Sequence, residues 1–294
     1  MTRLGDLPAR LAVAGVGIPV VFGALFFGGW VFGIVVAAIA ALGVWEFYGL
    51  MRHRGDHPFV LVGTAGTVGL VLLASTESTF SVFAPWALTL VLVVAALCLA
   101  LSLVFRWPGG SPAGALGSTL SGVCYVGLPA SILPLLRALG EGVPGVEGMG
   151  VWTPLAFVLF PVLVIWATDT AAYFVGMAIG RVRLAPSVSP KKSVEGAVAG
   201  VLGAVVSAAL MSSWWLADLP HHAVPVTTAA WMGAVISVAG QVGDLVESVL
   251  KREAGVKDSS NLLPGHGGFL DRLDALLWAL PVTWGLLAIT GVLS

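Results

Sequence analysis

Charged residues are scarce in this sequence. Lys, Arg, Asp and Glu make up 10% of its 294 residues, and hydrophobic residues make up 58%. In a typical soluble domain about a quarter of the residues are charged. This chain therefore has too little polar surface to cover a water-soluble globule. Its mean hydropathy of +0.99 agrees, so the composition predicts an integral membrane protein.

Other features that are missing exclude further classes of protein. The only cysteines, Cys98 and Cys124, fall inside hydrophobic runs, which predicts small buried side chains rather than disulfides or a thiolate metal site. The net charge is −1, and no stretch interleaves basic and aromatic residues, so we expect no nucleic-acid partner. The sequence also lacks the short alternating segments that are typical of a membrane β-barrel.

Long hydrophobic runs predict an all-α fold, a polytopic integral membrane protein with about nine transmembrane helices. A helix needs about 20 residues to cross a hydrocarbon core of about 30 Å. The runs divide into segments of about this length. They are residues 11–28, 30–51, 59–75, 83–105, 116–136, 151–179, 197–216, 223–243 and 275–293.

The basic residues predict the orientation of these segments. If the N-terminus lies inside, the cytoplasmic segments carry every Lys and Arg except Arg137, which agrees with the positive-inside rule. We therefore expect a multi-pass protein of the cell (inner) membrane, with the N-terminus and the loops around 52–58, 181–196 and 251–272 in the cytoplasm.

Polar residues within the spans concentrate in the second half of the chain. This distribution predicts an N-terminal transmembrane scaffold over residues 1–150. It predicts a functional transmembrane region over residues 151–294, with its polar groups at the cytoplasmic face. No internal repeat is visible, which disfavours a transporter built from inverted repeats.

One aspartate, Asp169, lies well inside a hydrophobic run. A carboxylate at membrane depth costs about 3 kcal/mol or more unless it faces a cavity or a partner. At about 100° per residue, Asp169, Tyr173, Gly176 and Gly180 share one helical face. The pattern favours a water-filled functional cavity. The alternative is a small-residue packing face in which Asp169 bonds to a neighbouring helix.

Two adjacent lysines follow this span in the stretch RVRLAPSVSPKKSVEGAVAG. Lys191 and Lys192 precede a predicted helix with Ser193 as its N-cap, and we expect a flexible cationic loop that contributes little to packing. Unpaired backbone N–H groups at a helix start, together with two lysines, suit a phosphate group. The alternative is a positively charged inside loop that touches anionic lipid.

A third polar cluster runs from Asp244 to Asp274. Asp244, Ser248 and Lys251 lie within about 60° of arc on one helix, and the loop KDSSNLLPGHGG leads to Asp271 at the start of the last span. Mg²⁺ is usually held by one or two carboxylates plus substrate phosphates, and lysine or arginine neutralises the remaining phosphate oxygens. His266 has no second His or Cys nearby, which disfavours zinc and leaves a loop-ordering hydrogen bond as its alternative role.

At these residues the sequence resembles the phosphatidate cytidylyltransferase family, also called CDP-diacylglycerol synthases. The segments YVGLP, DTAAYFVG, SPKKSVEG and GDLVES resemble family motifs as well, so the resemblance covers roughly residues 120–290. The family signature reads here as Ser248, Lys251-Arg252, Lys257-Asp258, Pro264-Gly265-His266-Gly267-Gly268 and Asp271-Arg272-Leu273-Asp274.

The resemblance implies that CTP and phosphatidic acid, a membrane lipid, react to give CDP-diacylglycerol and pyrophosphate. It implies Mg²⁺ on Asp244 and Asp271, with room for a monovalent cation such as K⁺, and a homodimer is a family-level expectation. The other residues expected to serve catalysis are Lys191, Lys192, Lys251 and Arg252. Those expected to bind substrate are Asp169, Ser189, Ser248, Lys257, His266, Gly267, Gly268 and Arg272.

Three alternatives stay open from the sequence. A CTP-dependent polyprenol or other lipid kinase would also use Mg²⁺ and basic residues, but would transfer the γ-phosphoryl group to an alcohol. A cation transporter would use Asp169, Asp244 and Asp271 as ion sites, although the polar groups crowd at one face rather than at mid-membrane. At Asp271 itself, the alternative to metal binding is a structural salt bridge, for instance with Lys251.

Overall fold

The structure, a computed structural model, describes residues 7–77, 79–105, 110–141, 152–217, 219, 222–263 and 267–293, with side chains from residue 15 onwards. In these ranges the chain forms nine helical segments and one two-stranded ribbon. Helices dominate because a hydrocarbon environment offers no partners to the backbone, so each apolar segment must satisfy its own N–H and C=O groups.

These nine segments contain ten regular α-helices, because a π-helical turn divides one segment in two. Two π-helical turns, Val123–Gly127 and Ser212–Leu216, interrupt the regular helical pattern. The first joins the helices Pro112–Gly122 and Leu128–Glu141, and the second extends the helix Val194–Met211. The helices are α1 (Leu7–Phe27), α2 (Gly29–His53), α3 (Val60–Thr76), α4 (Phe80–Phe105), α5 (Pro112–Gly122), α6 (Leu128–Glu141), α7 (Trp152–Ile179), α8 (Val194–Met211), α9 (Val226–Glu253) and α10 (Leu270–Ile289).

The prediction of an all-α, polytopic membrane protein is confirmed. Seven helical segments of the described chain are long and apolar enough to cross a membrane, and the apolar helix α3, with 17 residues, is shorter. The two helices that carry the family signature extend beyond the predicted spans: α9 continues to Glu253, and α10 begins at Leu270. Their charged ends keep the helical backbone, and a hydropathy pattern detects only the apolar part of such a helix.

The chain divides into two compact units. The first contains Met1–Leu135 and Leu250–Leu273, and the second contains Leu136–Val249 and Asp274–Ser294. The polar loop after α9 therefore belongs to the unit that holds the N-terminal helices, a grouping that the sequence did not indicate. The functional division at residue 150 stays a prediction.

In the first unit, a buried tyrosine holds α2 against α3 and α5. Tyr48 is fully buried, and its hydroxyl donates to the carbonyl of Thr119 at 2.8 Å. A side chain at Gly63 or Gly122 would overlap the tyrosine ring. Glycine at these two positions therefore lets the helix backbones approach the ring directly.

In the second unit, α7 and α8 pack through small residues. A Cβ atom added at Gly200 would lie 3.1 Å from Thr168, and one added at Gly203 would lie 2.8 Å from the Ala171 side chain. Small residues permit this close helix contact where lipid supplies no hydrophobic driving force. The hydroxyl of Thr168 also donates to that of Ser237 at 2.9 Å, which links α7 to α9.

The segment between α7 and α8 is an antiparallel ribbon of β1 (Arg183–Ala185) and β2 (Ser189–Ser193), with Arg183 opposite Ser193. The expectation of a flexible cationic loop was wrong. Backbone pairing orders the segment, and β2 runs directly into α8. The predicted cap is confirmed, because the Ser193 hydroxyl accepts the Gly196 N–H at 3.1 Å.

Candidate functional site

A cavity of about 620 Å³ lies in the second unit, where residues of α7, the ribbon, α8 and α9 form its wall. Its volume falls within the range of about 300–1,000 Å³ that is usual for ligand pockets. Asp169 and Tyr173 of the predicted helical face line the cavity, whereas Gly180 of the same face approaches the Ser193 side chain. The face thus serves both packing and the cavity, and the function of the cavity stays a proposal.

The charged residues on the cavity wall have a cationic surplus. Three are basic, Arg183, Lys191 and Lys192, and two are acidic, Asp169 and Asp244. Lysine and arginine are the side chains that bind phosphate oxygens by charge-assisted hydrogen bonds. An anionic ligand with phosphate groups therefore fits this wall better than a cationic or an uncharged one.

An ion pair joins the ribbon to α9 at this wall. The ammonium group of Lys192 is hydrogen-bonded to Oδ2 of Asp244. The two side chains are 28% and 30% exposed, so a ligand in the cavity can reach both. Asp244 thereby fixes the position of one cation and retains a second carboxylate oxygen for another donor or for a metal ion.

A second polar cluster lies in the first unit. The Lys251 ammonium group lies 2.7 Å from Oδ1 of Asp271. Oδ2 of Asp271 accepts hydrogen bonds from the N–H and hydroxyl of Ser259, each at 2.9 Å, and from the N–H of Gly268 at 2.8 Å. The salt bridge between Asp271 and Lys251, which the sequence offered as the alternative to metal binding, is present in the structure.

Sequence reasoning missed Glu46 on α2, which is 1% exposed. Its Oε1 accepts from the Ser260 hydroxyl at 2.5 Å and the Phe269 N–H at 3.0 Å. Its Oε2 accepts from the Ser259 hydroxyl at 2.9 Å and the Leu270 N–H at 2.8 Å. The available signal was a lone carboxylate in the apolar stretch GVWEFYGLM, which by itself marks a position that needs partners.

Two glycines of the signature, Gly267 and Gly268, lie against these carboxylates. Gly267 has φ +82°, and a Cβ atom there would lie 2.8 Å from Oδ2 of Asp271. A Cβ atom at Gly268 would overlap the Ser259 hydroxyl and the Glu46 carboxylate. The absence of a side chain at these two positions therefore lets the backbone approach carboxylates of the protein itself. Substrate binding by these glycines stays a prediction.

The other predicted residues occupy varied environments. Ser189 begins β2 and is half-buried, and Ser248 is buried on α9. Arg252, Lys257 and Arg272 are exposed, and Nη1 of Arg252 donates to the Val256 carbonyl at 3.1 Å. His266 lies outside the described residues.

The donor set of the cavity fits Mg²⁺ bound together with a substrate. The described residues contain no group of three or more His, Cys, Asp or Glu side chains that could hold a metal ion alone. Mg²⁺ usually needs only one or two carboxylates when phosphates supply further oxygens, and Asp169 and Asp244 line one cavity. Asp271 belongs to the other unit, so the sharing of one ion by Asp244 and Asp271 stays a prediction.

Comparison with known proteins gives a family and several relatives. A model of the cytidylyltransferase family matches residues 8–290. The chain is 32% identical over 292 residues to a protein of Synechocystis sp. named phosphatidate cytidylyltransferase, an alignment that covers 94% of each chain. Proteins of the same name from Bacillus subtilis and Brucella suis are 45% and 41% identical over 135 and 180 residues. These alignments cover 46% and 61% of this chain and 48% and 58% of the relatives.

Proposed function

Because the chain belongs to the cytidylyltransferase family, we propose that it transfers CMP from CTP to phosphatidic acid. The products are CDP-diacylglycerol, a precursor for phospholipid synthesis, and pyrophosphate. The single observation that best supports this activity is the cavity of the second unit. It combines α7, an apolar helix long enough to cross a membrane, with a wall of three basic and two acidic residues.

The reaction joins two anions. A phosphate oxygen of phosphatidic acid attacks the α-phosphorus of CTP, the bond to the bridging oxygen breaks, and pyrophosphate leaves. A phosphate monoester is mostly dianionic at neutral pH, since its second pKa is about 6, so the attacking oxygen needs no general base. The main work of the protein is to cancel charge repulsion and to hold the two phosphates in line.

The cavity residues suit this task. Arg183 and Lys191 are exposed on the ribbon and supply cations for phosphate oxygens, while Asp244 holds the ammonium group of Lys192 at the wall. We assign Asp244, with Asp169 on the same wall, to hold Mg²⁺ together with the CTP phosphates. When bound, the ion would neutralise charge on the leaving pyrophosphate.

We also propose an orientation of the protein in the membrane. The protein is a multi-pass membrane protein. The distribution of Lys and Arg supports a cytoplasmic position for the ribbon and for the loop between α9 and α10. CTP is a soluble nucleotide and the lipid phosphate lies at headgroup level, so their reaction belongs at this interface.

Product analysis tests the function. The purified protein in lipid–detergent micelles is incubated with phosphatidic acid, Mg²⁺ and CTP labelled at the α-phosphorus. We expect the label to enter the lipid fraction while one pyrophosphate appears per labelled lipid. A lipid kinase would leave the label in water-soluble CDP, and a transporter would leave CTP intact. The Asp244→Asn variant, assayed in the same way, gives the background level of product. Either of these results, measured against that background, would overturn the proposal.

A further inference from the structure

We propose that Glu46 is a positioning residue for the loop between α9 and α10, and that it acts by joining the middle of that loop to the start of α10. The consequence for catalysis rests on the proposed function. The loop connects Lys251 near the end of α9 to Asp271 in the first turn of α10, and both are predicted catalytic residues.

The hydrogen bonds of Glu46 come from two separate stretches of the chain. Ser259 and Ser260 lie on one side of the signature, and Phe269 and Leu270 lie on the other. A carboxylate offers about four acceptor positions. Three of the donors, the Ser260 hydroxyl and the N–H groups of Phe269 and Leu270, bond to Glu46, and the Ser259 hydroxyl is shared with Asp271. Because a buried charge is tolerated only when its polar atoms are satisfied, the carboxylate and these two stretches depend on each other.

Glu46 and Asp271 hold the same serine. The Ser259 hydroxyl lies 2.9 Å from Oε2 of Glu46 and 2.9 Å from Oδ2 of Asp271. A hydroxyl has one proton to donate, so it bonds to one carboxylate at a time, while the Ser259 N–H stays with Asp271. The position of Asp271, and with it the Lys251 ammonium group, is therefore set in part by a residue of α2.

A purely structural role is the competing explanation. Glu46 accepts the N–H groups of Phe269 and Leu270 at the start of α10, where an anion stabilises any helix. If this were its whole role, loss of the charge would lower stability without changing the turnover of the folded molecules. Turnover per folded molecule and the protection of the loop therefore separate the two explanations.

The test compares Glu46→Gln with Tyr48→Phe. Glutamine keeps the size of the side chain, but its NH₂ group replaces an oxygen that accepted hydrogen bonds. This group then faces hydrogen-bond donors and cannot accept from them. Tyr48→Phe removes one buried hydrogen bond from the same helix, and the partner in that bond, the Thr119 carbonyl on α5, lies outside the loop. Both variants are purified as full chains in lipid–detergent micelles, with the folded fraction measured by size-exclusion chromatography and circular dichroism.

For Glu46→Gln we expect kcat per folded molecule to fall at least about tenfold, equivalent to about 1.4 kcal/mol. We expect amide hydrogen exchange in peptides that contain Ser259, Ser260, Phe269 and Leu270 to become about tenfold faster or more. For Tyr48→Phe we expect lower thermal stability, with kcat and loop exchange within about twofold of the parent.

Two results would overturn the inference. One is a rate of amide hydrogen exchange in the loop of Glu46→Gln that equals the rate in the parent protein. The other is parental kcat combined with a loss of stability like that of Tyr48→Phe, which would leave Glu46 a structural role only. If Glu46→Gln does not fold, Ser260→Ala, which removes one of the four donors, takes its place; faster loop exchange supports the inference and unchanged exchange contradicts it. If the parent protein makes no CDP-diacylglycerol, the proposed function fails, while loop exchange still decides the role of Glu46.

Discussion

Asparagine substitution at Asp271 and at Asp244 separates the contribution of each carboxylate to stability, which depends on burial, from its contribution to catalysis. Each aspartate is bonded to a lysine, but the two pairs differ in exposure. The side chains of Lys251 and Asp271 are 11% and 9% exposed, whereas those of Lys192 and Asp244 are 28% and 30% exposed. Asn keeps the shape of the side chain and removes its charge, so the same change acts on two environments.

The expected magnitudes follow from this difference. Removing one partner from a buried ion pair costs about 3–5 kcal/mol. Since Asn still presents an oxygen to Lys251, we expect Asp271→Asn to lower the free energy of unfolding by about 3 kcal/mol, the lower end of that range. Pairs closer to the exposed limit are worth about 0–1 kcal/mol, so we expect a loss of about 1 kcal/mol or less for Asp244→Asn.

The loss of activity in the two variants should not parallel their loss of stability, because both carboxylates have a role in the proposed reaction. We expect both variants to lose CDP-diacylglycerol formation, and Asp244→Asn to do so while almost as stable as the parent. If Asp271 also binds Mg²⁺, as the sequence predicts, high Mg²⁺ should restore part of the activity of Asp271→Asn, because binding is weakened rather than abolished.

The measurements are unfolding of the solubilised protein, followed by the fluorescence of its 11 tryptophans, and turnover at several Mg²⁺ concentrations. Equal losses of stability in the two variants would refute the argument from burial. A folded Asp271→Asn protein with parental turnover and unchanged Mg²⁺ dependence would refute metal binding at Asp271 and leave only the salt bridge.

Three further predictions concern the ribbon and the signature glycines. Lys191→Ala and Lys192→Ala should each lower kcat/KM for CTP in CDP-diacylglycerol synthesis without unfolding the protein, with the larger effect for Lys192 because it also pairs with Asp244; parental kinetics in both variants would leave the ribbon only a contact with lipid. Gly268→Ala should lose both stability and turnover, because its new methyl group would overlap two oxygen atoms, whereas Gly285→Ala, with open space around it, should match the parent in the same assays. Ser187→Cys in a cysteine-free background should react with an impermeant thiol reagent only from the cytoplasmic side; labelling from outside would overturn the orientation and the cytosolic CTP site.

Several features of the fold could be predicted from the sequence because their causes are local. An apolar run long enough to cross a bilayer has no alternative to the helix, since every backbone group must find its partner within the segment. The cap at Ser193 is similarly local, because a serine placed before a helical run needs only the N–H three residues later. The same local patterns placed polar residues on the connections after α7 and α9.

The partners of those polar residues were decided only by tertiary structure. Glu46 meets Ser259 across 213 positions of sequence, and Lys192 meets Asp244 across 52. The sequence showed that each charge in an apolar chain needs a partner, but which helices become neighbours depends on packing, as where Gly200 brings α8 against α7. Hydropathy describes one segment at a time, whereas the partner of a buried charge is set by contacts between segments, and those contacts exist only once the helices have packed.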